Sequence, residues 1–387
     1  MKDILIITSY FPPEIGAASN RIFHLAEGLH KSKFNVTVIT PLPNYPTGNI
    51  FEPYRGKRKH ISIENNIKIY RLWIYATVSK NKVVRLFAML SYSFSLVWFF
   101  IFNKIPKTVI IQSPPLLVAF TSILFLKSKK RKLILNVSDL WPLAGLKLGA
   151  LKKNFGYRIL EKIEFYNYKY SDLILGQSDE ILTHIRSIIQ YKETFLYRNY
   201  PNIDTKELQP SENSSGKIKM VYAGLLGVAQ GIYKLCQKLD YTNIEFHIYG
   251  AGPEQKQIED FVNENENLPI FYHGDLSRKE LHRTLLNYDL TIIPLLIRIY
   301  GSVPSKIFEY AKLGLPMLYF GGGEGETIVR ENNLGWVAEA GNYDNLNLTL
   351  SQLTTKDLNS KFKYSIKNTA ENQYDFNKQL SVLCEKL

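Results

Sequence analysis

A chain of 387 residues with 45% hydrophobic residues can bury a substantial core, and its length favours two domains over one, which sets aside disordered and fibrous readings. Cys236 and Cys384 lie far apart and lack the spacing of a zinc site or a secreted disulfide framework, so they read as reduced thiols of a cytoplasmic protein. The net charge of +13 is uneven: residues 1–200 hold 29 Lys and Arg against 12 Asp and Glu, and residues 201–387 hold 19 against 23, so the halves carry +17 and −4. The first half is either a basic soluble surface or one that meets a polyanion such as nucleic acid, anionic lipid or a phosphorylated substrate.

The N-terminal run Met1-Lys2-Asp3-Ile4-Leu5-Ile6-Ile7-Thr8 is too short for a signal-peptide core and is predicted as a first buried strand, 3–9. Further β-branched runs at 34–40, 67–73, 108–112, 132–137 and 172–177 are predicted strands, most separated by helix-length stretches, the pattern of a parallel sheet wrapped by helices. Among them lies the uncharged run 86–102, LFAMLSYSFSLVWFFIF, between Lys80, Lys82 and Arg85 on one side and Lys104 and Lys107 on the other. As a helix it reaches about 26 Å against the ~30 Å of a bilayer core, and serines interrupt it, so a simple span is disfavoured. It reads as a helix packed partly on the first domain and dipped into a membrane interface, assisted by Lys127, Lys129, Lys130, Arg131 and Lys132; the alternative is a buried core helix. The polar segment 209–216 marks a domain boundary. Strands then resume at 218–223, 244–249, 270–273, 290–294 and 317–320, so two doubly wound α/β domains are predicted, with a cleft between the carboxyl ends of their strands.

The loops after the strands carry the chemistry. No GxGxxG follows the first strand, which removes most support for a nicotinamide-type oxidoreductase. Gly16 precedes the helical pattern 19–31 and is either a flexible turn or a backbone approach to a phosphate. Asp139, after the strand 132–137, forms a turn before Trp141-Pro142 or presents a polar group to a substrate. Gly224, Gly227 and Gln230 occupy a glycine-rich connection 224–231, which suits a ligand cradle. Gly250 and Gly252 form a Gly-x-Gly-Pro turn, and His273 closes the next strand. Pro304 opens a helix whose first turn holds Ser305 and Lys306, where free N–H groups and the positive dipole end suit a diphosphate. Glu309, one turn on, is either an acid favoured by that dipole or a carboxylate able to grip vicinal hydroxyls. Lys306 is correspondingly a solvated lysine or the cation beside a leaving diphosphate. No paired carboxylate in a cleft loop and no His pair at ligand spacing suggests a metal, and the aromatic residues sit in apolar runs, not interleaved with Arg and Lys as nucleic-acid binding requires.

Taken together, Tyr10-Phe11-Pro12-Pro13-Glu14 with Gly16 and Asn20-Arg21, Asp139-Leu140-Trp141-Pro142, the 224–231 loop, Gly250-Ala251-Gly252-Pro253, and Pro304-Ser305-Lys306 through Glu309 make the chain resemble family 4 glycosyltransferases of the GT-B fold. The likeness extends over essentially the whole length and is strongest to bacterial members that build O-antigen, capsule or other surface glycans. It implies an acceptor domain 1–208, a nucleotide-sugar domain 217–365 and terminal helices 366–387 crossing back to the first. It further implies retaining transfer, without a bound metal or cofactor, from a nucleoside-diphosphate sugar to a polyprenyl-diphosphate-linked saccharide at the inner face of the cell membrane. By analogy the donor is a UDP-linked N-acetylated or deoxy sugar. The resemblance assigns Ser305, Lys306 and the glycine loops to the diphosphate, Glu309 to the ribose, Asn20 and Arg21 to the acceptor side and Asp139 to catalysis. The chain departs from the family where the first glutamate of its paired motif is replaced by Gly301 and the basic residues of the phosphate loop by Leu225 and Gln230. A non-hydrolysing sugar-nucleotide epimerase shares the two-domain look but leaves the apolar, basic first half unexplained.

Overall fold

The computed structural model describes residues 1–79, 81–203 and 216–387, without the side chains of Lys82 and Arg85; Lys80 and most of the polar segment 209–216 lie outside the described residues. The chain forms two compact units, Met1–Asn199 with Ile299–Ser302 and Asn377–Leu387, and Tyr200–Arg298 with Val303–Phe376.

The first unit runs β1 (Asp3–Ile7), α1 (Ala17–Lys31), β2 (Asn35–Pro41), β3 (Lys59–Glu64), β4 (Ile67–Leu72), α2 (Lys82–Phe102), β5 (Thr108–Ser113), α3 (Leu116–Leu126), β6 (Lys132–Val137), α4 (Leu143–Lys147), α5 (Phe155–Tyr170), β7 (Leu173–Gly176), α6 (Asp179–Ile188) and β8 (Thr194–Leu196). Its eight strands lie in the order β3-β4-β2-β1-β5-β6-β7-β8, all parallel except β3, which runs antiparallel to β4. β1 and β5 are buried nearly end to end, as strands covered on both faces must be. Helix starts are supplied locally: Asn154 and Ser178 accept hydrogen bonds from Tyr157 N–H and Ile181 N–H at the heads of α5 and α6.

The second unit runs β9 (Ile218–Ala223), α7 (Ile232–Lys238), β10 (Ile244–Tyr249), α8 (Gln255–Glu264), β11 (Ile270–Tyr272), α9 (Arg278–Leu285), β12 (Leu290–Pro294), α10 (Lys306–Lys312), β13 (Met317–Phe320), α11 (Glu324–Glu331), β14 (Gly335–Ala338), α12 (Tyr343–Gln352) and α13 (Ser360–Gln373). Its six parallel strands lie in the order β11-β10-β9-β12-β13-β14. A last helix, α14 (Phe376–Glu385), belongs to the first unit in all but its first residue.

In each sheet the chain works outward from one central strand, then returns to start on the other side of it. The strand order therefore reverses between β1 and β5 in one unit and between β9 and β12 in the other, and the crevice at the carboxyl ends of such strands is where open α/β sheets hold ligands.

α2 has two apolar faces. Tyr92, Leu96 and Phe99 are buried, and Tyr92 Oη donates to the Thr8 carbonyl at 3.0 Å. Two of the serines that interrupt the apolar run bond to backbone outside the helix: Ser91 Oγ accepts from Tyr75 N–H at 2.8 Å and Ser95 Oγ donates to the Trp73 carbonyl at 2.8 Å, while Ser93 Oγ is buried without a partner among the described residues. Phe87, Leu90, Phe94, Trp98 and Ile101 form an exposed stripe at helical spacing, with Phe94 66% and Trp98 61% exposed. No helix among the described residues is long and apolar enough to cross a membrane.

Candidate functional site

In the second unit the loops after β9, β10 and β11 are stitched to one another by backbone bonds. Gly224 N–H donates to the Tyr249 carbonyl at 3.0 Å, Leu226 N–H to Ala251 at 3.0 Å and Gly250 N–H to Gly274 at 2.8 Å. A Cβ on Gly250 would stand 1.8 Å from the Gly224 carbonyl oxygen, and one on Gly252 would stand 2.5 Å from that of Leu226. These two glycines are therefore explained by close loop-on-loop packing, with no ligand required. Gly227 and Gln230 fold against each other: a Cβ at Gly227 would lie 2.7 Å from Gln230 Oε1, which is buried and has no hydrogen-bond partner among the described residues.

Lys306 is brought to this loop from the other side of the switch point. A Cβ on Gly224 would stand 2.7 Å from Lys306 Cε and 3.2 Å from its Nζ, so the bare glycine leaves the lane in which the lysine lies. The ammonium sits 5.4 Å from the centroid of Tyr310, whose hydroxyl donates to the Ala223 carbonyl at 3.2 Å. Ser305 is the N-cap of α10 and makes no side-chain capping bond, so its hydroxyl is not spent on the helix start.

Glu309, one turn into α10, is almost enclosed. Its Oε1 accepts from His282 Nε2 at 2.6 Å and lies 3.8 Å from Arg278 Nε, both residues being on α9. Burial disfavours its ionised form, but the hydrogen bond from His282 and the charges of Lys306, Arg278 and His282 outweigh burial and hold the carboxyl down at about 2. Sequence reading found Glu309 and Lys306 but missed His282 and Arg278. The only local signal was the capping box Ser277–Glu280, which marks the start of α9 and not its partner.

His273 lies in a ladder of rings. It stacks on Tyr249 with centroids 4.6 Å apart, and its Nε2 shares a hydrogen bond of 2.9 Å with His247 Nδ1. Burial, then the neighbouring His273 and Lys219, push the His247 imidazole down to about 4. A base contact by His273 would thus use its backbone or its remaining edge.

In the first unit, Gly16 is the extended N-cap of α1, and a Cβ there would make only an ordinary contact with Tyr45 at 3.6 Å. Asn20 is exposed, whereas Arg21 is buried, with Nη1 donating to Gln177 Oε1 at 2.7 Å and Nε and Nη2 lacking partners among the described residues. Burial, opposed by Asp139 and Tyr197, lowers the Arg21 guanidinium to about 10. Burial raises the carboxyl of Asp139, against the opposing charge of Arg21 and hydrogen bonds from Ser302 and Ser138. Both predicted residues are thus held inside an ionic and hydrogen-bonded network, and of the predicted first-unit residues only Gly16 and Asn20 are open at their side.

The same network explains Gly301. Its N–H donates to Glu180 Oε2 at 2.9 Å, its carbonyl accepts from Ser178 Oγ at 2.7 Å, and the Tyr300 carbonyl accepts from Leu140 N–H at 3.2 Å. With φ at +83° and a Cβ position only 2.8 Å from both Leu140 and Ile181, no side chain fits here. The glutamate that the paired motif would place at this position is excluded by packing.

Residues 215–356 match the family described as Glycosyl transferases group 1. Among solved structures, the chain is similar to sucrose-phosphate synthase from Thermosynechococcus elongatus, with 11% identity, a TM-score of 0.75 and coverage of 100% of this chain and 98% of that one. It is similar also to the lipopolysaccharide outer core galactosyltransferase WaaB, with 16% identity, a TM-score of 0.66 and full coverage of both chains. Anabaena Alr3699/HepE, solved in complex with UDP and glucose, matches with 12% identity, a TM-score of 0.65 and full coverage of both. No curated protein matches by sequence. The two parallel-sheet α/β units have the GT-B fold, and most of the second falls within the stretch that matches the group 1 glycosyltransferase family.

Proposed function

We propose that this protein is a retaining, family 4-like glycosyltransferase that moves a sugar, an N-acetylated or deoxy hexose, from a UDP-linked donor to a polyprenyl-linked saccharide during surface-polysaccharide assembly. The observation that carries the reading is the convergence of Lys306, the Gly224 loop and an ionised Glu309 at the switch point of the second sheet. Transfer leaves a nucleoside diphosphate, whose negative charge grows as the glycosidic bond breaks. An ammonium and the N–H groups at the start of α10 stabilise that growing charge more than they stabilise the intact donor. Glu309 accepts hydrogen bonds from the ribose, and HepE, of the same fold, is known with UDP bound. Asp139, locked to Ser138 and Ser302, acts by shaping the acceptor side.

The charge on the diphosphate is met by these groups without a metal, so turnover is expected in the presence of a chelator. The test is UDP-sugar consumption with and without a polyprenyl-linked acceptor, in EDTA. Acceptor-dependent transfer supports the reading. Interconversion of the sugar nucleotide without acceptor would favour an epimerase, and complete loss in EDTA restored by magnesium or manganese would overturn the metal-free mechanism.

The exposed stripe of α2 suits a membrane surface at the cytoplasmic face. α3 adds exposed Leu124 and Phe125, and Lys127, Lys129 and Lys130 follow it into solvent. Aromatic rings enter the headgroup boundary while lysines attract anionic lipid, each worth about 1 kcal/mol near the surface. The purified protein is expected to co-sediment with anionic vesicles more than with neutral ones, to be released in large part by high salt, and to lose binding when Phe94 and Trp98 are both changed to Ser. Indifference to anionic vesicles at low salt would remove the membrane from the proposal.

A further inference from the structure

We propose that His282 is a positioning residue, aided by Arg278, that aims the Glu309 carboxylate at the donor's ribose. The inference rests on the reading of Glu309 as the ribose carboxylate and adds the group that makes it competent.

Three observations converge. His282 and Arg278 stand four residues apart on α9, so one helix face presents both to Glu309. Both approach the same oxygen, Oε1, at 2.6 and 3.8 Å, while Oε2 takes no hydrogen bond from the described residues. His282 is itself buried, 7% exposed, so the imidazole cannot swing away. An ionised carboxylate only accepts, which fixes the hydrogen on His282 Nε2. The consequence is a carboxylate with one oxygen anchored by the protein and the other left for a hydroxyl.

Without that anchor, Glu309 would be an enclosed acid with its strongest hydrogen bond removed. Lys306 and Arg278 would still oppose burial, but the carboxyl would rise from its present low position, take up a proton more readily as the pH falls, and be free to rotate between orientations. A protonated, rotating carboxyl is a poorer acceptor for a ribose than a fixed carboxylate. The effect belongs to ground-state donor binding, so it falls on the donor KM and leaves kcat largely unchanged.

The test is calorimetric titration of the full chain with UDP, from pH 5 to pH 8. His282→Ala is expected to bind about tenfold more weakly than wild type at pH 7, the scale of one hydrogen bond to a charged group, and the gap between the two proteins is expected to widen towards pH 5, the titration of the UDP terminal phosphate being common to both. His282→Gln, whose amide N–H reaches the place of Nε2, is expected to restore binding, and His282→Asn, one methylene shorter, is not. In His282→Ala/Glu309→Ala, binding is expected to match Glu309→Ala alone, because the histidine acts through the carboxylate. If Glu309→Ala weakens UDP binding while His282→Ala or His282→Asn binds as wild type does at every pH, the positioning role is overturned and the ribose reading stands. If Glu309→Ala itself binds UDP as wild type, the ribose reading falls and this inference with it. Should His282→Ala not fold, the contrast between the Gln and Asn variants decides the same question.

Discussion

Lys306→Met is expected to lower kcat by about a hundredfold to a thousandfold, the scale seen when one preorganised group is removed from a developing anion. Methionine keeps an unbranched, flexible stem in the lane above Gly224 and removes only the charge. The fold is therefore expected to survive, since Lys306 is only half-buried and the stem that packs by Gly224 is kept. Donor KM should rise less than kcat falls, because the ammonium meets more charge in the transition state than in the bound donor. Lys306→Arg is not a conservative control: its planar guanidinium is bulkier than the stem that Gly224 accommodates. Steady-state kinetics with saturating acceptor decide the matter, and an unchanged kcat in a folded Lys306→Met protein would take the lysine out of the chemistry.

The second large effect is on stability. Gly250→Ala places a methyl 1.8 Å from the Gly224 carbonyl oxygen and 2.9 Å from its carbon, at a backbone φ of +137°. Neither neighbour is the tip of a side chain that can turn aside, so the two loops must separate. The expected cost is at least about 3 kcal/mol, combining steric overlap with a backbone region that alanine rarely enters. Urea unfolding should show the loss, and UDP binding should fall with it because the Gly224 loop is displaced from Lys306. Gly16→Ala is the contrast: extended backbone and a nearest contact of 3.6 Å predict unchanged stability, so any loss of activity there reports a ligand. If Gly250→Ala unfolded like the wild-type protein, the packing explanation of that turn would be wrong.

The sheet architecture was legible because its central strands are β-branched runs buried on both faces, such as TVIIQS in β5 and IKMVYA in β9. The strands that escaped notice have physical excuses. β3, KHISIE, lies at an edge and leaves its two isoleucines, Ile61 and Ile63, on the open face; β8 has only three residues; β14 begins on a glycine at φ +151°. At the site, Lys306, Glu309 and the glycine loops were visible because each lies in a short contiguous motif at a strand end. His282 was not, since its partner is 27 residues away on another helix and no local pattern records the pairing. Gly250, Gly252 and Gly301 were visible as glycines, but their reason was hidden: it lies in the carbonyls and side chains that a Cβ would strike. Arg21 and Asp139 illustrate the same limit, for a sequence shows a charge without showing whether it faces a substrate or another buried charge.

The first unit is completed by chain that is made long after most of it. Arg198 presents its N–H to Gln379 Oε1 at 2.8 Å and its carbonyl to Gln379 Nε2 at 3.0 Å, across a separation of 181 residues. Ser178, Glu180 and Leu140 likewise wait for Tyr300 and Gly301. On a ribosome adding about 5–20 residues per second, Arg198 waits roughly 9–36 s for Gln379 and Ser178 roughly 6–25 s for Gly301. Vectorial folding, in which the leading domain is finished before the next begins, is therefore closed to this topology. A stall or premature stop between Asn199 and Gln379 leaves the first unit unfinished, however much of the second has been made.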